Sequence, residues 1–151
     1  MPATSGLNHL AMSVPTGTLT PEWRAAFFAV YGRVFGWTEI ENGTRSDRMT
    51  VATGGSCYLN VREREQPMTC TDYEHFGVVV ESADEVEQFW ARLVGSAADI
   101  ELEDVHYRAG GVVSFKVRHM LPMTMEIQFL PPGAADASPR PWRRKEVAEK
   151  R

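Results

Sequence analysis

Cysteine is scarce in this chain: Cys57 and Cys70 are the two in 151 residues. Two are too few for a disulfide scaffold, and they form no C-x-x-C pair. Long apolar runs are missing as well. None approaches the roughly 20 residues that a membrane helix needs, and the first 20 residues lack the basic start and apolar stretch of a signal peptide. The expectation is a cytoplasmic protein with no membrane partner. Positive charge is not in excess either, with 16 Lys+Arg against 20 Asp+Glu and a net charge of −4. That balance gives no general attraction to nucleic acid.

What is present is ordinary globular material, 43% hydrophobic and 24% charged, which argues against disorder along most of the chain. The length suits one compact domain or two small modules sharing a core. Charge is unevenly placed: residues 140–151 carry six basic and two acidic side chains, so this tail is +4 and the remainder −8. A Pro/Gly/Ala/Ser stretch from Pro131 to Pro139 precedes it. The expectation is a domain over 1–131, then a flexible Pro-rich linker and basic tail over 132–151.

Two helix starts are legible. Thr20-Pro21-Glu22 is a cap followed by a first-turn proline, and Trp23, Phe27, Val30 and Val34 then recur at helical spacing up to Gly36. Ser82-Ala83-Asp84-Glu85 is a capping box, followed by Val86, Phe89, Trp90 and Leu93 with a stop at Gly95. A short strand precedes each helix, Leu7–Val14 and Phe76–Val80. Several short strands divided by turn residues follow each, so the chain reads as strand–helix–three strands, twice. His9-Leu10 and His75-Phe76 open the two copies 66 residues apart. The modules are expected over about 6–62 and 74–131, with 63–73 as the linker.

Alternation along the strands sorts the side chains by face. Leu10, Met12 and Val14 oppose His9, Ala11 and Ser13. Cys57, Leu59 and Val61 oppose Tyr58, Asn60 and Arg62. In the second copy Phe76 and Val78 oppose His75; Phe115 and Val117 oppose Ser114 and Lys116; Met125 and Ile127 oppose Glu126. One face of each strand is apolar and suited to packing under helices. The other holds histidine at equivalent positions of both copies, with Glu126 between two apolar neighbours. Curved sheets would point His9, His75 and Glu126 into a common cavity. Two neutral imidazoles and a carboxylate are the facial triad of non-haem Fe(II), and they also suit Mn, Ni or Zn. Lys116 faces the same cavity, where it could grip an anionic group or donate a proton. Tyr58, Asn60 and Ser114 are candidate substrate contacts by face, and His106, with Tyr107, lies in a loop-like stretch able to close over the site. Cys57 is assigned to the core, Cys70 to a more exposed place, and Arg62 and His119 to solvent.

The strings Gly6-Leu7-Asn8-His9-Leu10, Phe28 to Trp37, Asp72-Tyr73-Glu74-His75-Phe76-Gly77 and Met125-Glu126-Ile127 resemble the vicinal oxygen chelate superfamily. That superfamily includes glyoxalase I, extradiol dioxygenases, and fosfomycin- and bleomycin-resistance proteins. The resemblance implies an α+β fold of two βαβββ modules forming a cupped mixed or antiparallel sheet. It implies a divalent metal, Fe(II) first, on His9, His75 and Glu126. The fourth superfamily position falls on Asn60. Glyoxalase I uses a carboxylate there as a base, and an amide cannot take the proton. Ala11 stands where fosfomycin enzymes place a Thr that touches the phosphonate, and His106 roughly where they have a Lys. The implied function is a small metalloenzyme on an oxygen-bearing small molecule, first of the extradiol dioxygenase type. Alternatives are an epoxide-opening resistance enzyme or a non-catalytic drug-binding protein. Paired modules close the cup within one chain or between two, and a homodimer is expected in both cases.

Overall fold

The computed structural model describes residues 7–97 and 99–134; the basic tail lies outside them. The first module runs through β1 (His9–Pro15), α1 (Pro21–Phe27), a π-helical turn (Phe28–Gly32), α2 (Arg33–Phe35), β2 (Thr38–Glu39), β3 (Arg48–Gly54) and β4 (Cys57–Arg64). Thr20 caps α1, its hydroxyl accepting from the Trp23 N–H at 3.2 Å. Gly36 ends the helical segment in the left-handed region, at φ 70°. The spacing predicts one unbroken α-helix here. The structure instead widens one turn to π geometry, and Val30 and Tyr31 are both buried in it.

The second module repeats the order with β5 (His75–Val80), α3 (Ala83–Leu93), β6 (Glu101–Leu102), β7 (His106–Tyr107), β8 (Val113–Arg118) and β9 (Thr124–Phe129). The Ser82 hydroxyl accepts from the Glu85 N–H, and the Glu85 carboxylate reaches back to the Glu81 N–H at 2.8 Å. That is a capping box displaced by one residue at its return contact. His106 and Tyr107, expected in a loop, pair with Ser114 and Val113 as a short strand.

Each module makes its own sheet. The strand order is β1-β4-β3-β2 in the first and β5-β9-β8-β6 in the second, with β7 also on β8. In both, the first strand runs parallel to the last and forms one edge of the sheet. The registers match as well: Ala11 lies beside Asn60 as Gly77 lies beside Glu126. Asn60 and Glu126 are 66 residues apart, the same offset as His9 and His75. The duplication therefore holds at the level of single residues.

The apolar faces meet in one core. Met12, Val14, Met49, Val51, Leu59 and Val61 pack with Phe27, Val30 and Val34, and Val86, Leu93, Phe115, Met125 and Ile127 join the same cluster. Helices of the two modules touch, with Phe35 and Phe89 stacked at 5.1 Å. The polar faces of both sheets are consequently turned away from the shared core. Two burial expectations are corrected. Cys57 is exposed, because it is the first residue of β4 at the sheet's open end. His119 is buried at 6% exposure. Its Nε2 lies 3.2 Å from an Asp99 oxygen and its carbonyl accepts from the Tyr31 hydroxyl, so long-range contacts bury what the local sequence presents as a strand end.

Candidate metal centre

His9 opens β1 and His75 opens β5, and each ring is held through Nδ1. The Nδ1 of His75 lies 2.7 Å from the Tyr73 carbonyl. A carbonyl only accepts, so Nδ1 carries the hydrogen, and in the neutral ring Nε2 presents its lone pair. Tyr73 is itself fixed by a turn in which Thr71 donates from its N–H at 2.7 Å and from its hydroxyl to the Glu74 carboxylate. Those two bonds hold the Glu74 carboxyl below the usual carboxylate range, the hydroxyl being the larger cause. The Nδ1 of His9 lies 2.7 Å from the Asn8 side-chain oxygen, which leaves its Nε2 free in the same way. The imidazole of His9 stacks on Tyr58, with centroids 4.9 Å apart and planes 9° from parallel.

Glu126 is the buried member, at 7% exposure in the middle of β9. One carboxylate oxygen lies 3.2 Å from the Nε2 of His75. With Nδ1 committed to Tyr73, that approach brings an imidazole lone pair against an anionic oxygen. The pair repels unless a proton or a metal cation lies between them. Neutral imidazole and carboxylate are the donor types a divalent transition metal takes, so His75 and Glu126 fit such an ion. Among the described residues of one chain, however, no three His, Cys, Asp or Glu side chains approach closely enough to share a metal. His75 and Glu126 come together; His9 does not join them within one chain.

Four of the remaining candidates, Tyr58, Ala11, Asn60 and Lys116, fall into three recesses. A cleft of about 480 Å³ runs between the β1 and β5 edges, with His9, Tyr58, His75, Phe76, Trp37 and Met123 among its largely apolar walls. On the polar face of the first sheet, Ala11 and half-buried Asn60 line a second recess of about 420 Å³ with Arg48 and Arg62. Lys116 sits beside Glu126 in the strand register and lines a polar groove of about 300 Å³ with Asp72, Glu103, Arg118 and Thr124. Ser114 is 1% exposed, and its hydroxyl has no hydrogen-bond partner among the described residues. His106 is exposed, with Nε2 3.8 Å from the Glu103 carboxylate. Next to it, a hydrogen bond to the Glu87 carboxylate is the main cause raising the Tyr107 hydroxyl. Sequence reasoning missed Arg108, whose guanidinium lies 3.4 Å from the second Glu126 oxygen. The pairing of β7 with β8, which places it there, has no strong local signal in two residues.

No family model matches the sequence, and no curated protein does. Solved structures do match. A lactoylglutathione lyase from Agrobacterium tumefaciens aligns at 18% identity over 83% of this chain and 94% of that one, with a TM-score of 0.60. The fosfomycin resistance protein FosX from Listeria monocytogenes aligns at 18% over 84% and 94%, with a TM-score of 0.61. The chain has the vicinal oxygen chelate fold. A glyoxylase/bleomycin resistance protein/dioxygenase domain from Frankia sp. shares it at 16% identity over 84% and 93%, TM-score 0.61. At these identities the vicinal oxygen chelate likeness shows the architecture, while the chemistry rests on the side chains. Among the described residues, no helix is long and apolar enough to cross a membrane.

Proposed function

We propose that the protein is a vicinal oxygen chelate metalloenzyme acting on a small molecule with two adjacent oxygens, first as an extradiol-type dioxygenase. One observation carries this: the free Nε2 of His75 faces the buried Glu126 carboxylate at 3.2 Å, an arrangement that calls for a cation. His75 and Glu126 of one chain would hold the ion, with His9 of a second copy as the third ligand. A bound divalent ion supplies Lewis acidity and, as Fe(II), a place for O₂.

The closure between copies has support in the fold. β1 and β5 are both sheet edges, and Val79 on β5 is 72% exposed. Exposed apolar edges are ready for another chain. On the first sheet's polar face, Ala11 is exposed and Asn60 half-buried, which leaves room for a second copy to cover them. The resulting assembly is a homodimer with two composite sites.

The chain's own residues then divide the work. Asn60, the repeat equivalent of Glu126, brings no second negative charge, which leaves open positions for two substrate oxygens. Its amide N–H is suited to donate to one of them. Tyr58 holds the His9 ring in place by stacking, and the Lys116 ammonium is suited to neutralise an anionic substrate oxygen. His106, exposed on β7, is suited to receive or return a proton at Nε2. The apolar walls of the 480 Å³ cleft exclude water around an aromatic ligand.

Metal analysis of the purified protein tests this, followed by O₂ uptake on a panel of catechols. About one equivalent of Fe, Mn or Zn per chain, lost in His75→Ala, is the expected result. A protein that is metal-free and cannot be reconstituted contradicts it. The same apolar cleft favours a second reading, a drug-binding resistance protein that sequesters its ligand. Tight binding of such a drug by metal-free protein, with no turnover, supports that alternative.

A further inference from the structure

The second oxygen of Glu126 has a partner that the metal reading leaves unexplained. Arg108 directs a guanidinium nitrogen to it at 3.4 Å, across 18 residues of chain. We propose that Arg108 is an internal competitor for the metal: its guanidinium neutralises Glu126 in the metal-free chain, and metal uptake requires it to swing out into solvent. The proposal rests on the reading of His75 and Glu126 as metal ligands.

The need for a cation comes from burial. The Glu126 side chain is 9% exposed, and a carboxylate so placed is costly without a positive neighbour. His75 supplies that charge only when Nε2 is protonated, since Nδ1 is already committed. A guanidinium stays charged at every working pH, so Arg108 fills the role without titrating. Its hold is loose. The contact is long for a charge-assisted hydrogen bond, and it engages one nitrogen rather than a bidentate fork. An exit route exists as well, because the Arg108 side chain is 54% exposed. Its backbone begins a tight turn closed by Arg108 N–H to Val112 O at 2.8 Å, with Gly110 and Gly111 at φ 82° and 80°. The turn anchors the backbone of Arg108, so displacement needs only side-chain rotation.

A metal ion arriving between His75 and Glu126 must displace this guanidinium from the carboxylate. Removing Arg108 therefore strengthens metal binding while weakening the metal-free protein. Titration of wild type and R108Q with Mn(II), in competition with a chromophoric chelator, tests this directly. R108Q is expected to bind Mn(II) about fivefold more tightly, the scale of a half-exposed ion pair. Metal-free R108Q should also melt below metal-free wild type, with Mn(II) closing the gap. R108M serves where R108Q does not fold. Equal or weaker Mn(II) binding by a folded variant overturns the competitor role and leaves the ligands standing. No Mn(II) or Zn(II) binding by either protein overturns the metal reading, and this proposal with it.

Discussion

Glu63 fastens the loop that follows β1. Its carboxylate accepts from the backbone of Gly17 and from the Leu19 N–H at 2.7 Å, and these bonds, Gly17 first, hold its titration below the ordinary range. A depressed carboxyl contributes stability that is present above its unfolded pKa and lost as pH falls through the folded one. Glu63→Gln should therefore lower stability at neutral pH and flatten the acid limb, so that variant and wild type converge as pH falls, measured by urea unfolding between about pH 3 and 7. An unchanged acid limb would contradict this. At this scale the sequence speaks clearly only where a residue type is out of place. His9, His75 and Glu126 stood out because strand alternation put them opposite apolar partners. Arg108 and His119 did not, because their environments come from contacts far along the chain, and Cys57 did not, because alternation does not show where the strand begins. His119 is buried by Tyr31 and Asp99, and Arg108 is placed by a two-residue strand.

Helix caps and repeat spacing made the elements legible. Thr20 and Ser82 each accept from the N–H three residues on, as their sequences predict. Ser82→Ala should lower stability by about 1 kcal/mol in urea unfolding. A loss near zero would mean that the displaced Glu85–Glu81 contact alone secures the start of α3. The 66-residue offset between His9 and His75 reappears between Asn60 and Glu126, so one duplicated unit explains four site positions. What escaped was geometry without a residue signature. The π turn at Phe28–Gly32 is decided by burying Val30 and Tyr31 together, and β6 and β7 are too short to show alternation. The duplicated βαβββ reading is met by two mixed sheets, one per module, with β1 and β5 as their edges.

Across the whole molecule, helices of the two modules meet at one junction. Phe35 and Phe89 stack across that junction, so a double-mutant cycle between Phe35→Ala and Phe89→Ala should show coupling of about 0.5–1.5 kcal/mol. Additive losses would mean that the modules associate without this pair. His9 shares a cleft with His75, but no three ligand side chains converge among the described residues of one chain, and the proposed site is complete only when a second copy brings them together. The most direct measurement is metal content after unfolding and refolding an equal mixture of His9→Ala and Glu126→Ala chains. Each variant alone should bind no metal. Refolded together, half of the dimers are mixed and each holds one intact site, which predicts about a quarter of an equivalent per chain. A mixture that stays empty while wild type binds metal would contradict a site shared between chains.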